Sequence, residues 1–194
     1  MIAGLILAAG ESRRMGSDKA LLTYRGQSFL ATIIDNLNAA EIRQITVVLG
    51  HHAETIQRAV NLTEVRVVVN QGYRRGQTSS LQAGLGSAVM DAPDAVILCL
   101  VDHPAASSEV ILELTGHFAA TRAPLIVPTH RGRRGHPVVI GQALFPELLA
   151  LPPEEPANTL IRKYRDATSF VEVADPGILL DVDDAEAYRR LVEA

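Results

Sequence analysis

The run Ala3-Gly4-Leu5-Ile6-Leu7-Ala8-Ala9 contains no polar side chain, ends at Gly10 and leads into a polar loop. An apolar run of this length is typical of a strand that is buried on both faces of a parallel sheet. Further strands and helices are predicted to alternate after it: strands at 44–49, 65–69 and 95–101, and helices at 29–37, 53–60, 78–90 and 107–121.

The second half of the chain continues this alternation with shorter elements. Strands are predicted at 124–127, 137–140, 169–173 and 178–182, and helices at 143–150, 158–164 and 184–192. The proline-rich segment 151–157 is predicted to be a loop. The pattern indicates one α/β domain, residues 1–194, with a mostly parallel sheet covered by helices on both faces. Ligands of such sheets bind beyond the carboxyl ends of the strands.

The composition is that of an ordinary globular protein, with 47% hydrophobic and 21% charged residues among 194. A net charge of −4 argues against a nucleic-acid polymer as partner, because such proteins usually present a basic face. No apolar run reaches the roughly 18 residues that span a bilayer, and the N-terminal run lacks the basic flank of a signal peptide. With one cysteine, Cys99, we expect a cytoplasmic protein without a disulfide or a membrane partner.

The polar loop after the first strand, residues 10–19, lies where a nucleotide-binding loop is expected. It lacks the Walker pattern, because five residues separate its two glycines and no Gly-Lys-Ser follows. Gly10 lets a ligand approach the backbone closely, and exposed N–H groups with Arg13, Arg14 and Lys19 could surround a polyphosphate. A loop with solvated cations fits the same residues, so the chemistry alone leaves both interpretations open.

This loop resembles the signature of the MobA-like NTP transferase family, whose members activate sugar phosphates, isoprenoid precursors and molybdopterin. The matching positions are Leu7, Ala8, Ala9, Gly10, Ser12, Arg14, Met15, Gly16 and Lys19. The resemblance implies a three-layer α/β/α sandwich with a mostly parallel, Rossmann-like sheet of about seven strands, as in nucleotide-diphospho-sugar transferases. It also implies that Arg14 and Lys19 hold the triphosphate and act in catalysis, and that the base lies beside the backbone of Leu7, Ala8, Ala9 and Gly10.

A second polar run, residues 70–81, follows the third predicted strand and leads into a helix. Its hydroxyls and amides suit recognition of a base edge or a ribose, and they equally suit a loop in which Thr78, Ser79 or Ser80 caps the helix. The run resembles the Asn, Gly and Ser-Ser-Leu segment of molybdenum cofactor cytidylyltransferases. That resemblance implies that Gly76, Ser79 and Ser80 bind the nucleotide, whereas Asn70 is expected only to end the strand.

Asp102 follows the most apolar strand and is therefore expected at the carboxyl edge of the sheet. Magnesium prefers hard oxygen ligands, usually one or two carboxylates with phosphates and water. The family has a magnesium-binding aspartate here, so the resemblance implies that Asp102 binds Mg²⁺ and is catalytic. The next residue, His103, is often glutamine or methionine in relatives, and we predict that it neighbours the substrate and is not a metal ligand.

The segment 178–186 resembles the closing motif of the family, Asp-Ile-Asp-Thr-Pro-Glu-Asp. Asp181 and Asp183 match this motif, whereas Asp184 and Ala185 replace its threonine and proline. By this resemblance Asp181 is the second magnesium ligand. Asp183 or Asp184 is predicted to cap the last helix, because the helix dipole favours a carboxylate there.

The basic segment 131–138 joins two predicted strands and contains Gly135-His136-Pro137. This tripeptide resembles a segment of the molybdopterin cytidylyltransferase branch that sugar-nucleotide enzymes lack in this form. We therefore expect His136, Arg134 and His103 to contact the acceptor, while a solvated hairpin tip and a structural histidine fit the same residues. The adjacent His51 and His52 are predicted to point apart and to form no ligand cluster.

Together the resemblances imply that CTP and the molybdopterin cofactor give the cytosine dinucleotide form of the cofactor and pyrophosphate, with Mg²⁺ as the metal. CTP is predicted over GTP, because guanylyl-transferring relatives carry Leu-Ala-Gly-Gly where this chain has Ala9, whose methyl narrows the space beside the base. A molybdoenzyme or its chaperone would then receive the product. The alternatives are transfer to another acceptor (a sugar or alcohol phosphate), guanylyl transfer to molybdopterin, and a non-catalytic protein that carries or inserts the cofactor.

Overall fold

Ten strands and seven helices make up the part of the chain that the structure describes, a computed structural model of residues 1–12 and 14–193. The strands are β1 (Ile2–Ala8), β2 (Thr23–Tyr24), β3 (Gln27–Ser28), β4 (Ile45–Leu49), β5 (Arg66–Val69), β6 (Ala95–Leu100), β7 (Leu125–His130), β8 (Arg133–Arg134), β9 (Val138–Gly141) and β10 (Thr168–Glu172). The helices are α1 (Phe29–Ala39), α2 (Ala53–Ala59), α3 (Gln77–Ala88), α4 (Ser108–Thr121), α5 (Phe145–Ala150), α6 (Asn158–Lys163) and α7 (Ala185–Glu193).

The main sheet has the strand order β10-β7-β9-β6-β1-β4-β5, with the short β8 paired to β7, while β2 and β3 form a separate hairpin. β1 pairs in parallel with β4 and β6, β5 with β4, and β10 with β7. β9 runs antiparallel to both β6 and β7. The sheet is therefore mostly parallel with one antiparallel strand inserted, and the predicted Rossmann-like α/β/α sandwich is confirmed.

The central strand β1 is buried on both faces, as its apolar run predicts. Ile6 packs into the hydrophobic core on one side of the sheet, together with side chains of α1 and α4. Leu5 and Leu7 pack into the core on the other side, with side chains of α3 and α5. Gly84 brings α3 close to the sheet, since a Cβ at this position would lie 2.4 Å from Leu5 Cδ1. The start of α3 is thereby placed beside the carboxyl end of β1.

The segment 178–182 is not the edge strand that its apolar residues predict. Pro176–Leu179 forms a 3-10 turn, and a proline at its start has no N–H to donate to a sheet ladder. After the turn, the N–H of Val182 donates to the carbonyl of Asp102 at 2.9 Å. The C-terminal segment is thus tied to the end of β6, and this brings its aspartates to the sheet's carboxyl edge.

The carboxyl ends of three parallel strands meet at one edge of the sheet. Ala8 of β1 is level with Leu49 of β4, and Leu7 is level with Leu100 of β6. Among the helices described here, none is both long and apolar enough to cross a membrane.

Candidate active site

A cavity of about 400 Å³ lies at this edge of the sheet, a size suited to a small-molecule ligand. Its walls are the ends of β1 and β6, the loop that follows β1, the start of α3 and the C-terminal segment. Of the predicted catalytic and nucleotide-binding residues, the cavity is lined by Leu7, Ala8, Ala9, Gly10, Arg14, Lys19, Gly76, Ser80 and Asp102. Ser79 is absent from this lining among the residues that the structure describes.

The loop after β1 is held in a turn that presents Arg14 and Lys19 to the cavity. Ser12 adopts a positive φ of 48°, and its hydroxyl oxygen accepts a hydrogen bond from the N–H of Lys19 at 3.0 Å. Gly50 packs directly against the start of the loop. A Cβ at this position would lie 2.6 Å from the Ala9 carbonyl oxygen, so a larger residue would not fit without movement. Arg13, the third predicted cation of this loop, lies outside the described residues.

Lys19 is the centre of an ion cluster in the cavity. Its Nζ donates to Asp102 at 3.1 Å and to Asp183 at 2.8 Å, and its side chain is only 12% exposed. Arg14 pairs with the other carboxylate oxygen of Asp183 at 2.9 Å. Arg14 and Lys19, the two cations predicted to hold phosphates, therefore both bind the carboxylate of Asp183. The sequence patterns did not predict this pairing.

The charges in this cluster stabilise one another. Burial lowers the pKa of Lys19, but the hydrogen bond to Asp183 and the charge of Asp102 outweigh it, so the pKa is raised overall. The hydrogen bond from Lys19 lowers the pKa of Asp183. Both groups are thus charged at neutral pH, and a polyphosphate that replaced Asp183 would find two preformed positive partners.

The predicted metal ligands Asp102 and Asp181 lie together, and His103 lies with them. One ligand atom from each of these three residues falls within 4.8 Å of the others. Burial, and next the charge of Asp102, raise the pKa of the Asp181 carboxyl. A divalent cation bound between the two carboxylates would remove this repulsion. The oxygen and nitrogen atoms of these three residues therefore fit a metal ion.

The second polar run is organised by Asn70. Its side-chain N–H₂ donates to the hydroxyl oxygens of Ser79 and Ser80, each at 3.0 Å, and its carbonyl oxygen accepts from the N–H of Gly72 at 2.9 Å. The hydroxyl of Ser79 donates to the Gly76 carbonyl at 2.7 Å and does not cap α3. Because its oxygen accepts from Asn70, the hydroxyl of Ser80 is set to donate its own proton into the cavity.

We expect Asn70→Asp to raise the KM for nucleotide about tenfold, the size of one lost hydrogen bond to a ligand, with little change in Tm. The aspartate keeps the acceptor for Gly72 but cannot donate, so both serine hydroxyls turn toward it. Steady-state kinetics measures the effect. Asn61→Asp is the matched control, because Asn61 holds a similar turn through Thr63 on the surface. An unchanged KM in Asn70→Asp would show that Ser80 is not oriented for the ligand.

The prediction that His51 and His52 point apart is wrong. Their rings stack with centroids 3.7 Å apart, because His52 adopts a left-handed φ of 53° that turns its side chain back. His51 Nδ1 is hydrogen-bonded to the hydroxyl of Tyr73 at 3.1 Å, and His52 Nδ1 to Asp18 at 2.9 Å. The pair therefore braces the loop against Tyr73, a cavity-lining residue that the sequence patterns did not single out.

The predicted acceptor-binding residues fall in two places. The rings of His103 and His136 lie 5.0 Å apart, beside the carboxylates predicted to bind the metal. His136 also lines an apolar cavity of about 110 Å³ that shares the wall residues Leu7 and Leu100 with the larger one. Arg134 is exposed, and its guanidinium lies 4.8 Å above the ring of Phe170 at the edge of the sheet.

The surroundings of His136 keep its ring neutral. Burial, with the charge of His103, lowers its pKa to about 4. The backbone at this position is held because the backbone N–H of His136 donates to the Ile178 carbonyl at 3.0 Å. Gly135 permits this contact, since a Cβ there would lie 2.3 Å from the same oxygen.

The chain matches the family model "MobA-like NTP transferase domain" over residues 4–168. Nicotine blue oxidoreductase of Paenarthrobacter nicotinovorans is 28% identical over 198 residues, covering 98% of this chain and 96% of that protein. The molybdenum cofactor cytidylyltransferase of Escherichia coli is 25% identical over 190 residues, covering 95% and 92%. These two names belong to different reaction classes, so similarity of this degree does not by itself fix the reaction.

Solved structures show the same fold over the full chain. Rv0371c from Mycobacterium tuberculosis H37Rv superposes with a TM-score of 0.88 at 29% identity, covering 100% of this chain and 97% of that one. A structure of Rv0371c in complex with manganese superposes with a TM-score of 0.82, covering 100% and 98%. The family resemblance inferred from the loop motif is confirmed.

Proposed function

The chain belongs to the MobA-like NTP transferase family, and from this premise we propose that it transfers CMP from CTP to the molybdopterin cofactor, with Mg²⁺ as metal and pyrophosphate as the second product. The observation that carries the proposal is the ion cluster: Lys19 and Arg14 converge on Asp183 inside a nucleotide-sized cavity whose wall also holds Asp102.

The residues would act mainly by positioning and by neutralising charge. The terminal phosphate of the acceptor attacks the α-phosphorus of CTP. The new P–O bond forms as the bond to pyrophosphate breaks, and pyrophosphate leaves with the bonding electron pair. Lys19 and Arg14, released from Asp183, then balance the charge of the leaving group. No side-chain nucleophile is needed.

Asp102 and Asp181 would hold the divalent cation beside these cations. When bound, the metal supplies Lewis-acid stabilisation of charge on the phosphate oxygens. The hard carboxylate oxygens fit Mg²⁺. Ser80 would donate a hydrogen bond to the nucleotide, and the backbone of residues 7–10 would lie beside the base.

The smaller apolar cavity would receive part of the acceptor beside the α-phosphate. This cavity opens beside the larger one across Leu7 and Leu100, and leucine side chains dominate its lining. Gln77 and Asn158 add polar side chains to its wall. Both candidate acceptors carry the attacking phosphate, but an apolar wall supports the flat ring system of molybdopterin over a hydroxyl-rich sugar. Arg134 would take part only through movement of its hairpin.

We expect Ala9→Gly to raise the proportion of guanylylated product about tenfold. Ala9 is buried and lines the cavity, and its methyl restricts the space beside the base. A single steric difference of this kind is worth about 1–3 kcal/mol, which shifts preference without reversing it. Competition between equal CTP and GTP with molybdopterin, resolved by product mass, measures the ratio.

The matched control is Ala3→Gly, which removes the same methyl at the opposite end of β1 and should leave the ratio unchanged. Mostly guanylylated product from the unmodified protein would show that the nucleotide assignment is wrong. If product formed only with a sugar or alcohol phosphate, that compound and not molybdopterin would be the acceptor. If no nucleotide were joined to any acceptor, the alternative of a non-catalytic protein that carries the cofactor would be favoured.

A further inference from the structure

Two buried nitrogen atoms stand out because they have no hydrogen-bond partner. In residues 1–12 and 14–193, the buried side-chain polar atoms left unpaired are Nδ1 of His103 and Nδ1 of His136. The two rings are neighbours, with centroids 5.0 Å apart and planes inclined by 49°. Buried polar atoms are nearly always paired in native proteins, so this coincidence needs an explanation.

The His103 ring lies beside the proposed metal ligands. One of its ring nitrogens lies within 4.8 Å of a carboxylate oxygen from each of Asp102 and Asp181. Since Nδ1 is closed off from solvent while the ring as a whole is partly exposed, Nε2 is the nitrogen that a cation can reach. Two carboxylates and one imidazole form a donor set of mixed oxygen and nitrogen.

Coordination through Nε2 would determine the protonation of both rings. A neutral His103 that gives its Nε2 lone pair to a metal carries its proton on Nδ1, which becomes a donor. A neutral His136 that carries its proton on Nε2 leaves its own Nδ1 as an acceptor.

The two unpaired atoms thus become a complementary donor and acceptor. A void of about 10 Å³ is lined by both rings, together with Asn36 and Cys99. This is close to the volume that one water molecule requires, so a single water can join the two atoms. Metal-bound histidines characteristically donate their second N–H to such an outer partner, which fixes their orientation.

We propose that His103 is a third protein ligand of the divalent cation, that His136 orients it from the outer shell, and that the imidazole makes the site prefer Mn²⁺ and other first-row transition ions over Mg²⁺. The preference follows because Mg²⁺ is the hardest of these ions and favours oxygen, whereas imidazole is a good ligand for first-row ions. This deepens the proposed function, since it concerns the cation placed there, but it can be tested without the reaction.

The test is electron spin-echo spectroscopy of the protein loaded with Mn²⁺ alone. A ¹⁴N coupling from a directly bound imidazole is expected in the unmodified protein and in the control His117→Gln, whose histidine bonds Ser169 far from the site. The coupling should be lost in His103→Gln, which replaces the imidazole with a polar side chain of similar length. Asp102→Asn should abolish Mn²⁺ binding altogether and so locate the ion.

Competition of Mg²⁺ against bound Mn²⁺ gives the second readout. His103→Gln should reduce the Mn²⁺-over-Mg²⁺ preference at least tenfold, and His136→Leu should weaken Mn²⁺ binding about tenfold while the ¹⁴N coupling remains, as losses of outer partners commonly do. Absence of the coupling in the unmodified protein, or its persistence in His103→Gln, would overturn the inference. An enzyme that releases pyrophosphate with Mg²⁺ yet shows no coupling would refute this inference and leave the proposed function standing.

Discussion

Asp102→Asn should lower kcat/KM for nucleotidyl transfer about a thousandfold, because several kcal/mol of charge stabilisation depend on the metal and about 4 kcal/mol corresponds to that factor. The substitution keeps the shape of the side chain but removes the charge that faces both the cation and Lys19. The backbone carbonyl of Asp102, which accepts from Val182, is unaffected, so the C-terminal segment should stay in place. Pyrophosphate release at varied Mg²⁺ measures the effect.

Asp166→Asn, a change of the same chemistry on the exposed surface, is the control and should retain full activity. Both variants should show circular dichroism and a Tm close to those of the unmodified protein. A near-normal rate for Asp102→Asn at low Mg²⁺ would remove this residue from the metal site.

Lys19→Ala should lower kcat/KM for the nucleotide about tenfold to a hundredfold, since a charge-assisted contact is worth about 1.5–3 kcal/mol. The loss removes a cation that touches both Asp102 and Asp183. Asp183 keeps its ion pair with Arg14, but the triphosphate must then enter a more negative cluster. Both the KM for CTP and kcat should therefore worsen, because the lysine also balances the leaving group.

Arg58→Ala is a suitable control, because Arg58 forms an exposed ion pair with Glu54 one helical turn away. Exposed pairs of this kind contribute little, so its kinetics should be unchanged. Equal turnover of Lys19→Ala and Arg58→Ala at limiting CTP would show that the loop does not bind the phosphates.

Much of the fold could be predicted because its central strands are apolar on both faces. The runs that became β1, β4 and β6 admit few other interpretations, and their order along the chain implies crossover helices. The antiparallel insertion of β9 could not be predicted, since a short apolar run carries no information about strand direction. The apolar run at 178–182 was wrongly predicted as a strand for a related reason: Ile178 and Val182 are buried, but the segment starts in a 3-10 turn that Pro176 begins.

The sequence predicted the location of site residues that come after a strand. Asp102 follows β6 and Lys19 lies in the loop after β1, and both line the cavity at the carboxyl edge of the sheet. Asp183 or Asp184 was expected to cap the last helix, and Asp184 does so by accepting from the N–H of Ala187. This leaves Asp183 to pair with Lys19 and Arg14. Pairings across more than 160 residues depend on how the C-terminal segment docks, and no local pattern encodes this.

Nucleotidyl transfer is tested by pyrophosphate release from the purified protein with molybdopterin and Mg²⁺, compared across CTP, GTP, ATP and UTP. We predict release that requires both substrates, is fastest with CTP, and matches the amount of cytidylylated cofactor found by mass. Absence of pyrophosphate with every nucleotide, while the protein still binds molybdopterin, would contradict it.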